Sequence, residues 1–152
     1  MSDFGKATPV DAELILKLYD LRRETVMRQA RNFIAGFSPK SADDILAVFH
    51  ASGTPENAYI RQVTTFWEMA ASFVLRGALH EGLFTDNAGE LFFVFAKFAP
   101  FIDELREKME QPAFMSKCEE VINHTEEARA RLAAMIARQK KLADRAAAQA
   151  AR

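Results

Sequence analysis

Residues 54–77 read TPENAYIRQVTTFWEMAASFVLRG, and this stretch decides the fold. Thr54 before Pro55 sets a side-chain N-cap ahead of a residue whose missing N–H costs nothing in a first helical turn, and Gly77 can take the left-handed conformation that ends helices. Between them Tyr59, Ile60, Val63, Phe66, Trp67, Met69, Ala70, Ala71, Phe73 and Val74 cover more of the circumference than a surface helix requires. Ala58 to Leu75 is therefore expected to be a helix surrounded by others. Trp67, between Val63, Ala70 and Val74, is expected to anchor that core.

The same punctuation recurs on both sides. Thr8-Pro9 with Asp11 has the form of a capping box, and no glycine or proline interrupts Val10 to Ala35, which predicts one long helix ending at Gly36. Ser41 with Asp44 opens a short helix through Phe49, closed by Ser52-Gly53. His80 to Asp86 reads as a polar connection, after which Asn87 and Glu90 form a cap signature before the aromatic run Leu91 to Phe98. Composition alone permits a buried strand there, but Ala96, Lys97 and the absence of a partner strand favour helix. Pro100 interrupts the run, which continues to Met109; a last core helix after Gln111-Pro112 carries Phe114, Met115, Cys118, Val121 and Ile122 on one face. Asn123-His124-Thr125 breaks it, with Thr125 capping the C-terminal helix.

Beyond Thr125 the composition changes. Residues 126–152 hold seven basic and three acidic side chains, a local +4 that leaves −5 for residues 1–125, and their larger apolar groups are only Leu132, Met135, Ile136 and Leu142. Such a stripe is narrow, so this Ala/Arg-rich helix is expected to project, to fray, or to pair with another chain as a coiled coil. The predicted fold is all-α: a compact bundle of about five or six helices over 1–125, with a projecting C-terminal helix over 126–152.

Bulk properties bound the function. At 152 residues, 49% hydrophobic and net charge −1, the chain fits one soluble domain without the global field that would hold a nucleic acid or an anionic membrane. The single Cys118 cannot form an internal disulfide, Met1 to Lys6 has no secretory n-region or h-region, and no apolar run reaches the about 20 residues of a spanning helix. A cytoplasmic protein is expected.

Chemical signatures are few. His50, His80 and His124 are scattered, and no HExxH, CxxC, Walker or dinucleotide glycine pattern occurs, so neither metal nor cofactor is expected. Glu120 and His124 are read as a solvated pair one turn apart, and Cys118 as a buried structural thiol rather than a nucleophile. The informative polar residues lie inside the central helix. Arg61, Thr65, Glu68, Ser72 and Arg76 step by three or four and form one narrow stripe. Glu68 needs a partner if buried, and Arg22, Arg23, Arg28, Arg31 and Arg106 are the candidates. The stripe is either a binding or acid/base site or, the favoured reading, a solvated groove or a structural ion pair.

Over about residues 18–118, Asn57-Ala58-Tyr59-Ile60-Arg61-Gln62-Val63, Trp67-Glu68-Met69-Ala70, Gly77-Ala78-Leu79, Gly89-Glu90 and Lys97 to Ile102 with Arg106 resemble a family of small bacterial helical proteins known only as a domain of unknown function. The resemblance implies a helical bacterial protein and carries over no catalytic residue. Surplus apolar helix faces with no chemical constellation point to a non-catalytic interaction or self-association module, as a homo-oligomer or with a protein partner. The alternative is a small-molecule binder or enzyme at the stripe around Glu68. Nucleic acid is expected at most weakly, through the basic tail.

Overall fold

The structure, a computed structural model, describes residues 5–152; residues 1–4, which carry most of the N-terminal stretch read above for a secretory signal, lie outside the described residues. The described chain is a bundle of helices without strands: α1 (Pro9–Leu21), α2 (Thr25–Gly36), α3 (Ala42–His50), α4 (Pro55–Leu75), α5 (Glu81–Asn87), α6 (Gly89–Phe98), a 3-10 turn (Ala99–Phe101), α7 (Ile102–Lys108), α8 (Ser116–Asn123) and α9 (Glu126–Ala150). Helix α4 is central. It packs along α2 on one side and α8 on another, with α3 and α5 against it, and it buries Ile60, Val63, Trp67, Ala70, Ala71 and Val74. Trp67 is 2% exposed and lies in edge contact with Phe66 and Phe84, at centroid distances of 5.1 and 6.3 Å. Such contacts add to the area term that dominates core stability.

Caps written in the sequence form as expected. Thr8 and Asp11 complete a capping box, and Ser41, Thr54 and Thr125 accept the N–H of Asp44, Asn57 and Ala128. Asp11 also accepts the His80 N–H at 2.8 Å, tying α1 to the start of α5. The hydrogen bonds from Thr8, with that from His80, hold its carboxyl below the usual range. Gly77 has φ +73°, the left-handed ending predicted for α4.

Two elements differ from expectation. The single helix predicted from Val10 to Gly36 is broken between Leu21 and Thr25. The N–H groups of Arg22, Arg23 and Glu24 donate to carbonyls three residues back, and the Glu24 carboxylate then accepts the Met27 N–H at 2.9 Å to start α2. Neither glycine nor proline is involved; the elbow points Arg22 inward to an ion pair with Glu90. His80 to Asp86 is not a connection but the cap and body of α5: His80 Nδ1 accepts the Leu83 N–H at 3.0 Å, and Phe84 is buried. Asn87 consequently ends α5, its amide donating to Leu83 O, and α6 begins without a side-chain cap.

Helix α9 differs as well: expected to project from the bundle, it is anchored to it over its first half. Ala128 is buried and Leu132 packs on the core, Arg131 lies 4.3 Å above the Phe92 ring and donates to Thr85 O, and Gln139 donates to Phe93 O. Gly89 admits this approach, because a Cβ there would sit 3.3 Å from the Arg131 guanidinium. Beyond Gln139 only Ala143 is even half-buried, so the helix runs on into solvent. A chain ending at Gln139 is expected to melt within about 2 °C of the full chain, and one ending at Thr125 at least about 4 °C lower but still cooperatively. Circular dichroism melts of the three chains decide this: equal midpoints for 1–125 and 1–152 would show that α9 adds nothing to the bundle.

Candidate functional site

The stripe Arg61, Thr65, Glu68, Ser72 and Arg76 lies along α4, but its members are engaged separately. Arg61 donates to Asn57 Oδ1 and to Phe49 O, closing the end of α3, with its guanidinium over the Phe49 ring. Thr65 and Ser72 turn their hydroxyls back to Arg61 O and Met69 O, and Arg76 is the exposed C-cap residue of α4.

Glu68 meets none of the candidate arginines. Its two carboxylate oxygens accept the N–H groups of Lys117 and Cys118 at 3.0 and 3.1 Å, and the Lys117 ammonium stands 3.5 Å away. The reason is local to α8. Met115 before it is buried with φ 52°, a left-handed conformation that costs about 1–3 kcal/mol in a residue with a side chain, and it offers no cap. The first N–H groups of α8 are orphaned by chain geometry, and a carboxylate from α4 satisfies them where the helix dipole favours negative charge. Burial first, and the adjacent Glu68 carboxylate second, pushes the Cys118 thiol well above its ordinary pKa.

The arginines converge instead on Glu90, in the first turn of α6. One of its oxygens accepts Arg31 Nε at 2.6 Å and Arg22 Nη2 at 3.0 Å; the other accepts the Trp67 indole N–H at 3.2 Å. Arg22 and Glu90 are each 14% exposed at the side chain and Arg31 31%. Arg22 is flanked by the Tyr19 and Trp67 rings at 5.6 and 5.3 Å, and its buried Nε has no hydrogen-bond partner. Two clefts flank this cluster. One, of about 300 Å³, runs between α1 and the wall made by Trp67 and Phe84, with Arg22 and Asn87 on its lining. The other, of about 310 Å³, is lined by Arg28, Arg31, Asn32, Val63, Glu90 and Phe93. Sequence reasoning read Glu90 as a cap residue for Asn87; its telling feature was a charge at the head of an otherwise apolar run.

The remaining titratable groups are dispersed. His124 Nδ1 faces Glu81, at the start of α5, at 2.9 Å rather than Glu120. With Nδ1 of His80 used as an acceptor, its Nε2 carries the proton and donates to Gly5 O at 3.1 Å. Among the described residues no three His, Cys, Asp or Glu side chains come together as a metal would require, and no helix is long and apolar enough to cross a membrane. What the Glu90 cluster can do chemically is bind: two guanidiniums share one carboxylate beside apolar walls, a composition suited to an additional anion.

Fold and cluster together define an all-helical bundle whose interior is tied by tertiary carboxylates. The family model that matches, over residues 7–125, is the domain of unknown function DUF4760, and the chain belongs to that family. No curated protein and no solved structure matches.

The two carboxylates should rank unequally in stability. Glu90→Gln leaves two largely buried guanidiniums without their counter-charge and is expected to cost about 3 kcal/mol. Glu68→Gln keeps an oxygen for one α8 N–H and should cost about 1 kcal/mol. Urea unfolding of both variants measures this, and an equal or larger loss at Glu68 reverses the assignment. Cys118 should react with a disulfide reagent at about pH 8 only as fast as the protein opens, with a burst on adding denaturant; native reaction at the rate of a free thiol contradicts its burial.

Proposed function

We propose that the protein is a non-catalytic self-association module and that the outer side of α1 with the α1–α2 elbow is its contact face. One observation carries the reading. The exposed large apolar side chains Val10, Leu16, Tyr19, Leu21 and Val26 fall within residues 10–26, and among the described residues only Met69 and Leu142 lie elsewhere. Exposed large apolar side chains gathered in one short segment point to an interaction site, with Val10 and Leu21 on one flank of α1 and Leu16 and Tyr19 on another. Helix α1 has little else to do: it reaches the bundle chiefly through α5 and buries only Leu18.

The occupant we favour is a second copy. Val10, Leu14, Lys17 and Leu21 recur as i, i+4, i+7 and i+11 along one flank of α1. An antiparallel pairing of two such flanks sets Val10 of one copy near Leu21 of the other, and Lys17 near Glu13, in both directions, as an isologous interface requires. Residues 1–125 would then be the self-sufficient bundle domain, consistent with a family match that ends at residue 125, and 126–152 an accessory helix. The lone buried Cys118 suits a reducing compartment, and we place the protein in the cytoplasm as part of the same proposal.

The stripe around Glu68 is the alternative site, for a small-molecule binder or an enzyme; against it stands the engagement of Glu68 with α8. Contact of the basic tail with nucleic acid is the weaker reading, since Arg129 and Arg131 already donate to Asn123 O and Thr85 O.

Light scattering on the eluted protein is expected to give about twice the 17.1 kDa chain mass. Leu21→Glu, at a side chain 55% exposed, should return the mass to one chain with an unchanged melting midpoint. A monomer at every concentration overturns the proposal, and a dimer indifferent to Leu21→Glu moves the interface off α1.

A further inference from the structure

The groove between α1 and the Trp67–Phe84 wall combines features that pairing along the Val10, Leu14, Lys17 and Leu21 flank does not use. Its sides are Ile15, Leu16 and Leu18 from α1, and its volume of about 300 Å³ lies at the small end of ligand pockets. Arg22 lines it, with a buried Nε that donates to nothing. A buried N–H without an acceptor is uncommon in folded proteins and costs free energy, more so on a charged group. Charge is out of balance at the same place: Arg22 and Arg31 share the single carboxylate of Glu90. The other cleft, lined by Arg31 and Glu90, lacks this vacancy, because Arg31 Nε is already on Glu90 at 2.6 Å.

We propose that this groove binds a hydrophobic monocarboxylate, with the carboxylate on Arg22 and the hydrocarbon along Ile15, Leu16, Trp67 and Phe84. A carboxylate supplies both the acceptor that Nε lacks and the second negative charge, and the aromatic flanks of Arg22 keep water from weakening the pair. An uncharged apolar molecule would fill the groove but leave both deficits. Tyr19 is 57% exposed, so the rim of the groove can open at its ring without disturbing the core, while Trp67 stays against the guanidinium and limits water there. The proposal does not rest on self-association.

Trp67 is the single tryptophan and stands in the groove wall, so its fluorescence reports occupancy directly. Octanoate is expected to change the emission saturably, and octanol to bind at least about tenfold more weakly, a difference of about 1.4 kcal/mol. Arg22→Gln should bring octanoate down to the octanol level, whereas Arg31→Gln, which also removes a guanidinium from Glu90, should keep the preference. If Arg22→Gln loses its helical dichroism, Leu16→Asp at the exposed rim takes its place: the lost apolar contact should weaken both ligands, and the new charge should weaken octanoate at least about threefold more than octanol, an equal loss for the two overturning the proposal. Repeating the titration in Leu21→Glu keeps a loss of self-association separate from a loss of ligand. No saturable response to octanoate, equal affinity for octanol, or a preference that survives Arg22→Gln each overturns the proposal.

Discussion

A carboxylate removed from water must be met by donors from several directions, and Glu90 is met from three. Its partners are Arg22 at the end of α1, Arg31 on α2 and the Trp67 indole on α4, while Glu90 itself sits on α6. No two of these residues are neighbours in sequence, so each hydrogen bond fixes one helix relative to another. The elbow between α1 and α2 follows from the same requirement. A continuous helix through Arg22 would keep its regular backbone hydrogen bonds, worth about 1 kcal/mol each net. Bending there exchanges a few of them for a partly buried ion pair and for the packing of Arg22 between two aromatic rings. Removal of a single charge from such an arrangement costs more than the arrangement contributes over an apolar alternative, which is why its value lies as much in specifying helix placement as in stability.

The remaining polar design is concerned with helix ends. Glu68 closes the start of α8 from α4. Asn57 and Arg61 close the end of α3 on Val48 O and Phe49 O. The Lys97 ammonium, 2.6 Å from Phe37 O and 4.6 Å from the Phe93 ring centre, closes the end of α2. Burial lowers the pKa of Lys97, and the carbonyl at a helix C-terminus is where a buried cation is best tolerated. Short helices joined by tight connections leave many orphaned N–H and C=O groups for their length. A neighbouring helix supplies the missing partner in each of these cases, so local ends and tertiary packing are stabilised by the same side chains.

That coupling explains what the sequence could and could not disclose. Caps made within three residues were legible: Thr8, Ser41, Thr54 and Thr125 stand where a hydroxyl before a helix should. The central burial of α4 was legible from its apolar circumference, and the inert placement of Cys118 from its apolar neighbours. Glu24 and His80 were missed as caps because neither residue type signals one as strongly as Ser, Thr, Asp or Asn. The partner of Glu68 was missed for a deeper reason. A carboxylate on an apolar helix announces that it needs donors, but backbone N–H groups leave no mark in a sequence and arginines do, so the arginines were assigned to Glu68 when the fold gives two of them to Glu90 and Arg106 to Glu119. The candidate site was thus visible in its parts, the arginines and Trp67, and invisible in its centre.

Helix α9 shows how chemistry, rather than net charge, joins an appended helix to a bundle. The charges, +4 on residues 126–152 against −5 on the rest, suggest an electrostatic attachment that salt would screen. The contacts made are of another kind. Arg131 faces a ring and a carbonyl, Gln139 a carbonyl, and Leu132 the core, with no carboxylate among these partners. A backbone carbonyl is a fixed dipole that salt screens little at contact distance, and the apolar contact is not screened at all. The docked half of α9 is therefore held by short-range contacts independent of the overall charge imbalance, and the long-range field acts only on the half that runs into solvent, where Lys140, Lys141, Arg145 and Arg152 are exposed to any other surface.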